Sequence, residues 1–286
     1  MDTFIRTQQK TFEEHLVFTE QLARLSFYYA RRFLAARFPE KSLGVLLLDH
    51  TPLLYHALNY TDFEDNWSIP ECITILDKAN CLANLSPEDF EEEMWCFVAD
   101  TARRRVEEIF PMVVGIQPFD DDYLCFHRTP IPRSFRYLYC GSLRYEEPAK
   151  GSALCTFHIA NAPAPASLFQ DKEYLPLCLR TMMKEAELRY GCTRLTTTTW
   201  LNDRPRWLRL FPEEWQRNLT PRLPDNQYIP VWSIGAWGQF IDARGMLEPS
   251  RVKEFRSNGI FRYQQRTSQC SFESLRRHLD SNYGSN

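Results

Sequence analysis

The spacing of apolar and polar positions changes once along this 286-residue chain. Up to about residue 110, apolar side chains recur every three to four positions, as on helices with one buried stripe. Phe12, Leu16, Leu22, Leu25, Tyr29, Phe33 and Leu34 predict one long helix or a broken pair over residues 8–38, ended by Pro39. The apolar stretch 42–58 is interrupted at Thr51 and Pro52, and a helix is expected to resume at Pro52, a residue suited to a first helical turn. Residues 60–68 read as an acidic aromatic loop. Residues 70–83 read as a helix turning Ile73, Leu76 and Ala79 inward. Ser86 opens the clearest helix, with Ser86 as N-cap, Pro87 at the first position and Asp89 facing back. Acidic residues crowd its first turns, arginines 103–105 lie near its end, and Pro111 is expected to stop it.

After Pro111 the period shortens toward two, the spacing of strands. Residues 112–116, 123–127 and 135–145 read as strands, with a turn at 120–122 and a stiff connection at 129–132. Pro148 to Ser152 reads as a hairpin loop leading into a strand over 153–159. Residues 172–190 predict a helix with Leu175, Leu179, Met182, Met183 and Ala186 on one face. Gly191 follows, where a left-handed helix end costs least. Residues 194–201 are rich in β-branched side chains, as a strand should be. Two strands joined by one such helix imply a parallel crossover. Residues 221–230 form a polar loop, 231–241 an aromatic strand kinked at Gly235 or Gly238, and 249–257 a short helix; Ser271 caps a last helix. The expected fold class is α+β: a helical region, residues 1–110, packed on a mixed α/β domain, residues 111–286.

Composition narrows the function classes. No apolar run reaches the roughly 18–20 residues of a membrane helix. The polar N-terminus lacks the apolar core of a signal peptide, so the expected placement is the cytoplasm without membrane association. The nine cysteines form no CxxC pair, and most sit in apolar runs, which predicts reduced, buried thiols and no metal site. A net charge of −3 argues against a nucleic-acid partner. The charge is uneven, at −8 up to Phe110 and +5 beyond it. Either the two parts carry solvated charge of opposite sign, or the second part meets an anionic ligand.

Candidate chemistry gathers at the ends of the two strands flanking the crossover helix, the edge where ligands enter open α/β sheets. His158 ends the first, as a general base or as a histidine bonded within the sheet. Asn161 follows, to hold a carbonyl or to cap the turn. Asp203 is a candidate to hold His158 in one tautomer. In the second strand, Thr197 and Thr199 with Trp200 would line a pocket or simply fill the strand. Arg204 and Arg206 would pair with a carboxylate or phosphate, or lie on the surface. Trp237 and Gln239 would wall a small-molecule cavity beside the strands, with core packing as the alternative. His50 and His56, six residues apart, do not share a helical face, so no metal site is expected there.

The order strand, turn, helix, strand, asparagine, short helix resembles the GNAT acyltransferase superfamily. The residues carrying it are Leu154 to Ile159, Glu173 to Tyr190, Leu195 to Leu201, Asn202, and the WLRLF run at 207–211. The resemblance implies that the two strands part to leave a slot lined by His158 and Asn202. It implies a thioester donor, acyl-CoA or an acyl-carrier thioester, with Asn202 holding the pantetheine arm. The loop NAPAPASLFQDKEY departs from the pattern, having no glycine where the family places two, and Arg209 stands where a tyrosine is often found. The implied function is transfer of an acyl group to an amine or hydroxyl of a small molecule. The alternatives are a non-catalytic binding or interaction protein on the same fold, or another reaction, decarboxylation or hydrolysis, in the same cleft.

Overall fold

A computed structural model describes residues 11–52, 69–115, 137–163, 165–230 and 234–284. The expectations for 60–68, 120–122, 123–127, 129–132 and 231–233, and for His56, lie outside them. The fold class is α+β, with a helical N-terminal region preceding a mixed sheet. By its contacts the chain divides into two units, Gln9–Ile116 with Pro224–Arg262, and Gln117–Leu223 with Tyr263–Asn286. This differs from a single boundary after residue 110: Pro224–Arg262 belongs with the helices.

In the helical unit, α1 (Phe12–Tyr29) starts with a capping box, Thr11 and Glu14 each accepting from the other's backbone N–H. The helix loosens into a π-helical turn at Ala30–Leu34 and closes at Ala35–Arg37, so the predicted helix is continuous but irregular. Helix α2 (Leu43–His50) precedes Pro52, capped by Ser42 Oγ on the Val45 N–H, and the helix expected to resume at Pro52 lies outside the described residues. Helix α3 is Ile69–Cys81. It buries Ile75 and Ala79 and packs Leu76 against the core, so Leu76 and Ala79 turn inward as expected while Ile73 is exposed. Helix α4 (Pro87–Gly115) has the predicted cap, with Ser86 Oγ accepting from the Asp89 N–H. It passes through Pro111, so no strand starts at Met112: proline deletes one bond of the ladder but leaves its neighbours in place. The aromatic stretch after Pro230 is helical too, as α8 (Ile234–Trp237) and a 3₁₀ turn (Gly238–Phe240), not a strand. Helix α9 (Pro249–Asn258) then returns. Tyr29, Trp237, Phe240, Phe255 and Phe261 form this unit's aromatic core, with ring centroids 4.7–5.7 Å apart among Phe240, Phe255, Phe261 and Trp237.

In the second unit five strands lie in sequence order: β1 (Tyr137–Cys140), β2 (Leu143–Glu146), β3 (Leu154–Ile159), β4 (Arg194–Thr199) and β5 (Arg266–Ser271). The strand expected over 135–145 is a hairpin, since the chain reverses at Gly141 and Ser142. The loop at 148–152 joins β2 to β3 antiparallel, as expected. Helix α5 (Tyr174–Tyr190) crosses over to the parallel neighbour β4 and ends on Gly191 at φ 67°, a left-handed position that glycine takes without strain. Short helices α6 (Pro205–Leu208) and α7 (Glu213–Arg217) precede β5, and α10 (Phe272–Tyr283) follows it, capped by Ser271.

Alternation sorts the sheet into two faces. Leu143, Tyr145, Cys155, Phe157, Leu195 and Cys270 turn inward with the buried faces of α5 and α10. Arg144, Glu146, Thr156, His158, Thr196, Thr198, Thr267 and Gln269 take the opposite face, half-buried or exposed.

Candidate polar site on the sheet

The parallel pairing of β3 with β4 covers three residue pairs, Leu154 with Arg194, Cys155 with Leu195 and Thr156 with Thr196. Beyond it the strands take different neighbours. The rest of β3 pairs with β2 as far as Ile159, and the rest of β4 pairs with β5 as far as Thr199. The two strands therefore part after Thr156, as expected.

His158 lies just past this parting, on the polar face. Its Nε2 is 2.5 Å from Glu146 Oε1, and both side chains are about one-third exposed, at 37% and 35%. With a carboxylate on Nε2, the neutral ring carries its proton there and its lone pair on Nδ1. The partner expected for His158 was Asp203, and that expectation fails. Asp203 accepts from the Gln264 N–H at 3.1 Å and faces Arg222 and Arg266 at 3.4 and 3.6 Å. Glu146 lies one residue beyond the strand that the sequence predicts over 135–145. In the observed register Arg144 is opposite His158 and Tyr145 opposite Phe157, which sets Glu146 diagonally beside His158.

Asn202 is buried on the opposite, packed face, so it does not line a slot with His158. Its Nδ2 donates to the carbonyls of Thr197 and Arg266, at 3.1 and 2.7 Å. Its Oδ1 accepts the indole N–H groups of Trp207 and Trp215, at 3.0 and 3.2 Å. Two donors and two acceptor lone pairs are thereby used, and none remains for a pantetheine arm. Rings fill this side of the parting: Phe157 lies 6.3 Å from Trp215, which stacks on Phe211 at 4.2 Å, with Trp207 5.1 Å from Phe211. All four are buried.

The other candidates divide in the same way. Thr197 and Thr199 face the packed side, and Thr199 Oγ1 caps the Leu201 N–H, so the outward pair is Thr196 and Thr198. Trp200 stands 5.7 Å from Tyr263, and the Arg204 guanidinium lies over both rings, at 5.5 and 5.2 Å. Its cation is matched to π faces rather than to a phosphate. Arg206 donates to the Phe169 carbonyl and lies over the Phe169 ring, which ties down the loop before α5. Asn161 donates to the Ala166 carbonyl at 3.1 Å and so closes its own turn. Trp237 and Gln239 are buried in the helical unit, where Gln239 Nε2 donates to the Ala236 carbonyl. They are core residues, since that stretch is helical.

The start of α5 is a poor anion cradle. Asp171 accepts from the Glu173 N–H at 2.8 Å, so two carboxylates stand at the helix entrance. Position three of the helix is Pro176, which has no N–H to offer. The loop before it is anchored elsewhere, with the N–H groups of Ala160 and Ala162 donating to the Ser142 carbonyl and Oγ at 2.8 and 3.1 Å.

Burial pushes the thiols of Cys140, Cys155 and Cys270 far up from their ordinary range, and Cys178 up to about 11. Among the described residues no group of three or more His, Cys, Asp or Glu side chains is placed to hold a metal ion. No helix there is long and apolar enough to cross a membrane. No family model, curated protein or solved structure matches the chain.

Proposed function

We propose that the chain is an enzyme in which His158, its ring held by Glu146, acts as general base in transferring an acyl group from a thioester to a small-molecule amine or hydroxyl. The observation that carries this reading is the 2.5 Å His158–Glu146 pair just past the point where β3 and β4 part. The strand order and the parted parallel pair support the likeness to GNAT acyltransferases. In the proposed step the acceptor N–H or O–H proton passes to His158 Nδ1. The acceptor atom bonds to the thioester carbonyl carbon, the C–S bond breaks, and the thiolate leaves with a proton from water. The acidic, proline-bearing start of α5 favours a carrier-protein thioester over free acyl-CoA, because a carrier-bound arm has no nucleotide diphosphate to cradle.

The test is thiol release from acetyl-CoA, longer acyl-CoAs and carrier-protein thioesters, with amine and hydroxyl acceptors. Acceptor-dependent release that disappears in His158→Ala is the expected result. Equal release by wild type and His158→Ala would overturn the reading. A second reading, a ligand-binding protein without turnover, is favoured by the fully committed Asn202 and the rings beside it. It predicts that a ligand raises the unfolding temperature while no thioester is consumed.

A further inference from the structure

We propose that Arg144 makes the His158 site selective for ligands that carry a carboxylate next to their amine, α-amino acids above all. The inference rests on the functional reading above and names the acceptor class for it. Arg144 stands directly opposite His158 in the β2–β3 register. Side chains so opposed in an antiparallel pair start about 5 Å apart and share a face. Glu146 follows Arg144 by two residues on the same face, about 7 Å along the strand. The register thus sets an arginine across from the histidine that Glu146 holds, all three positions on the polar face. The Arg144 fork matches a carboxylate with two parallel N–H···O bonds. A carboxylate seated there brings an α-amine within reach of His158, with the Glu146 charge beside it. Thr156 precedes His158 by two residues on the same face and adds a hydroxyl.

The test compares L-α-amino acids with their amides, which differ by loss of the carboxylate charge, by calorimetric titration and thermal shift on the full chain. Wild type should bind an amino acid at least about tenfold more tightly than its amide. Arg144→Gln should bring that ratio to about one, and Arg144→Lys, a point charge without the fork, should keep part of it. Should Arg144→Gln fail to fold, the wild-type pair and Arg144→Lys decide. Equal binding of acid and amide by wild type, or binding of neither, overturns the proposal. Thioester turnover with no preference for acids over amides sinks the proposal and leaves the acyltransferase reading standing. An Arg144-dependent preference with no thioester consumed sinks the acyltransferase reading and leaves this site standing.

Discussion

The amide oxygen of Asn202 accepts the indole N–H of Trp215 at 3.2 Å, deep in the packed side of the sheet. The same amide bonds to Trp207, Thr197 and Arg266. Removing it strands two buried indole donors and two carbonyls. Asn202→Ala is expected to lower stability by about 3 kcal/mol or more, since each buried group left unpaired costs about 1–3 kcal/mol. Urea unfolding followed by tryptophan fluorescence measures this directly. A fully stable variant would mean that the bonds are replaced by water.

His158 and Asp203 should separate by assay. His158→Ala removes a side chain about one-third exposed and is expected to change stability by less than about 1 kcal/mol while abolishing turnover. Asp203→Asn removes the charge facing Arg222 and Arg266 and should lower the unfolding midpoint. Paired thermal melts and rate measurements distinguish the two. A stable, inactive Asp203→Asn would return Asp203 to the chemistry.

Glu214 gives an acid limb to the stability curve. Burial, the largest single influence on its carboxyl, raises its pKa, but bonds from the Ser271 hydroxyl and N–H and from Ser274, together with the Arg194 charge, hold it below the ordinary 4.5. The stabilisation is present above pH 4.5 and is lost as pH falls through the lowered folded value. Glu214→Gln should therefore be less stable than wild type at neutral pH, and the gap should close as the pH falls below 4.5 through the lowered folded value. Urea midpoints across pH 3–7 check the sign.

Thiol labelling should follow burial. Among the described residues Cys81 and Cys96 are exposed, whereas Cys140, Cys155, Cys178, Cys192 and Cys270 are buried. Iodoacetamide on the native chain should modify the first two and reach the other five only after denaturant, with rates at least about a hundredfold apart. Peptide mass spectrometry reads the order.

Gly259 ends α9 at φ 68°, and a Cβ there would come within 2.5 Å of the Phe33 ring. Gly259→Ala is expected to cost about 1–3 kcal/mol, from the left-handed backbone and the displaced ring together. Gly151→Ala, at φ 80° with nothing within 4 Å, should cost less.

Much of the fold was legible because helices and strands write their period locally. The Ser86 cap, the stripe on α5, Gly191 and the hairpin loop at 148–152 are each fixed by neighbours in sequence. The misreadings had local causes as well. Pro111 reads as a stop, and the rings after Pro230 read as a strand because aromatic residues favour both strands and buried helix faces. β5 went unseen because RTSQCS is short and polar, with Ser268 and Cys270 buried only by what packs on them.

The sequence by itself determined most of the helices, the parallel crossover from β3 through α5 to β4, and His158 as the ionisable group at the end of β3. The tertiary structure decided which groups meet. Glu146 reaches His158 through a register set by a hairpin turn, and Asn202 is saturated by partners 5 to 64 residues away. Hydrophobic periodicity says which side chains turn inward. It does not say which polar atoms meet there, because that follows from strand register and the packing of distant rings.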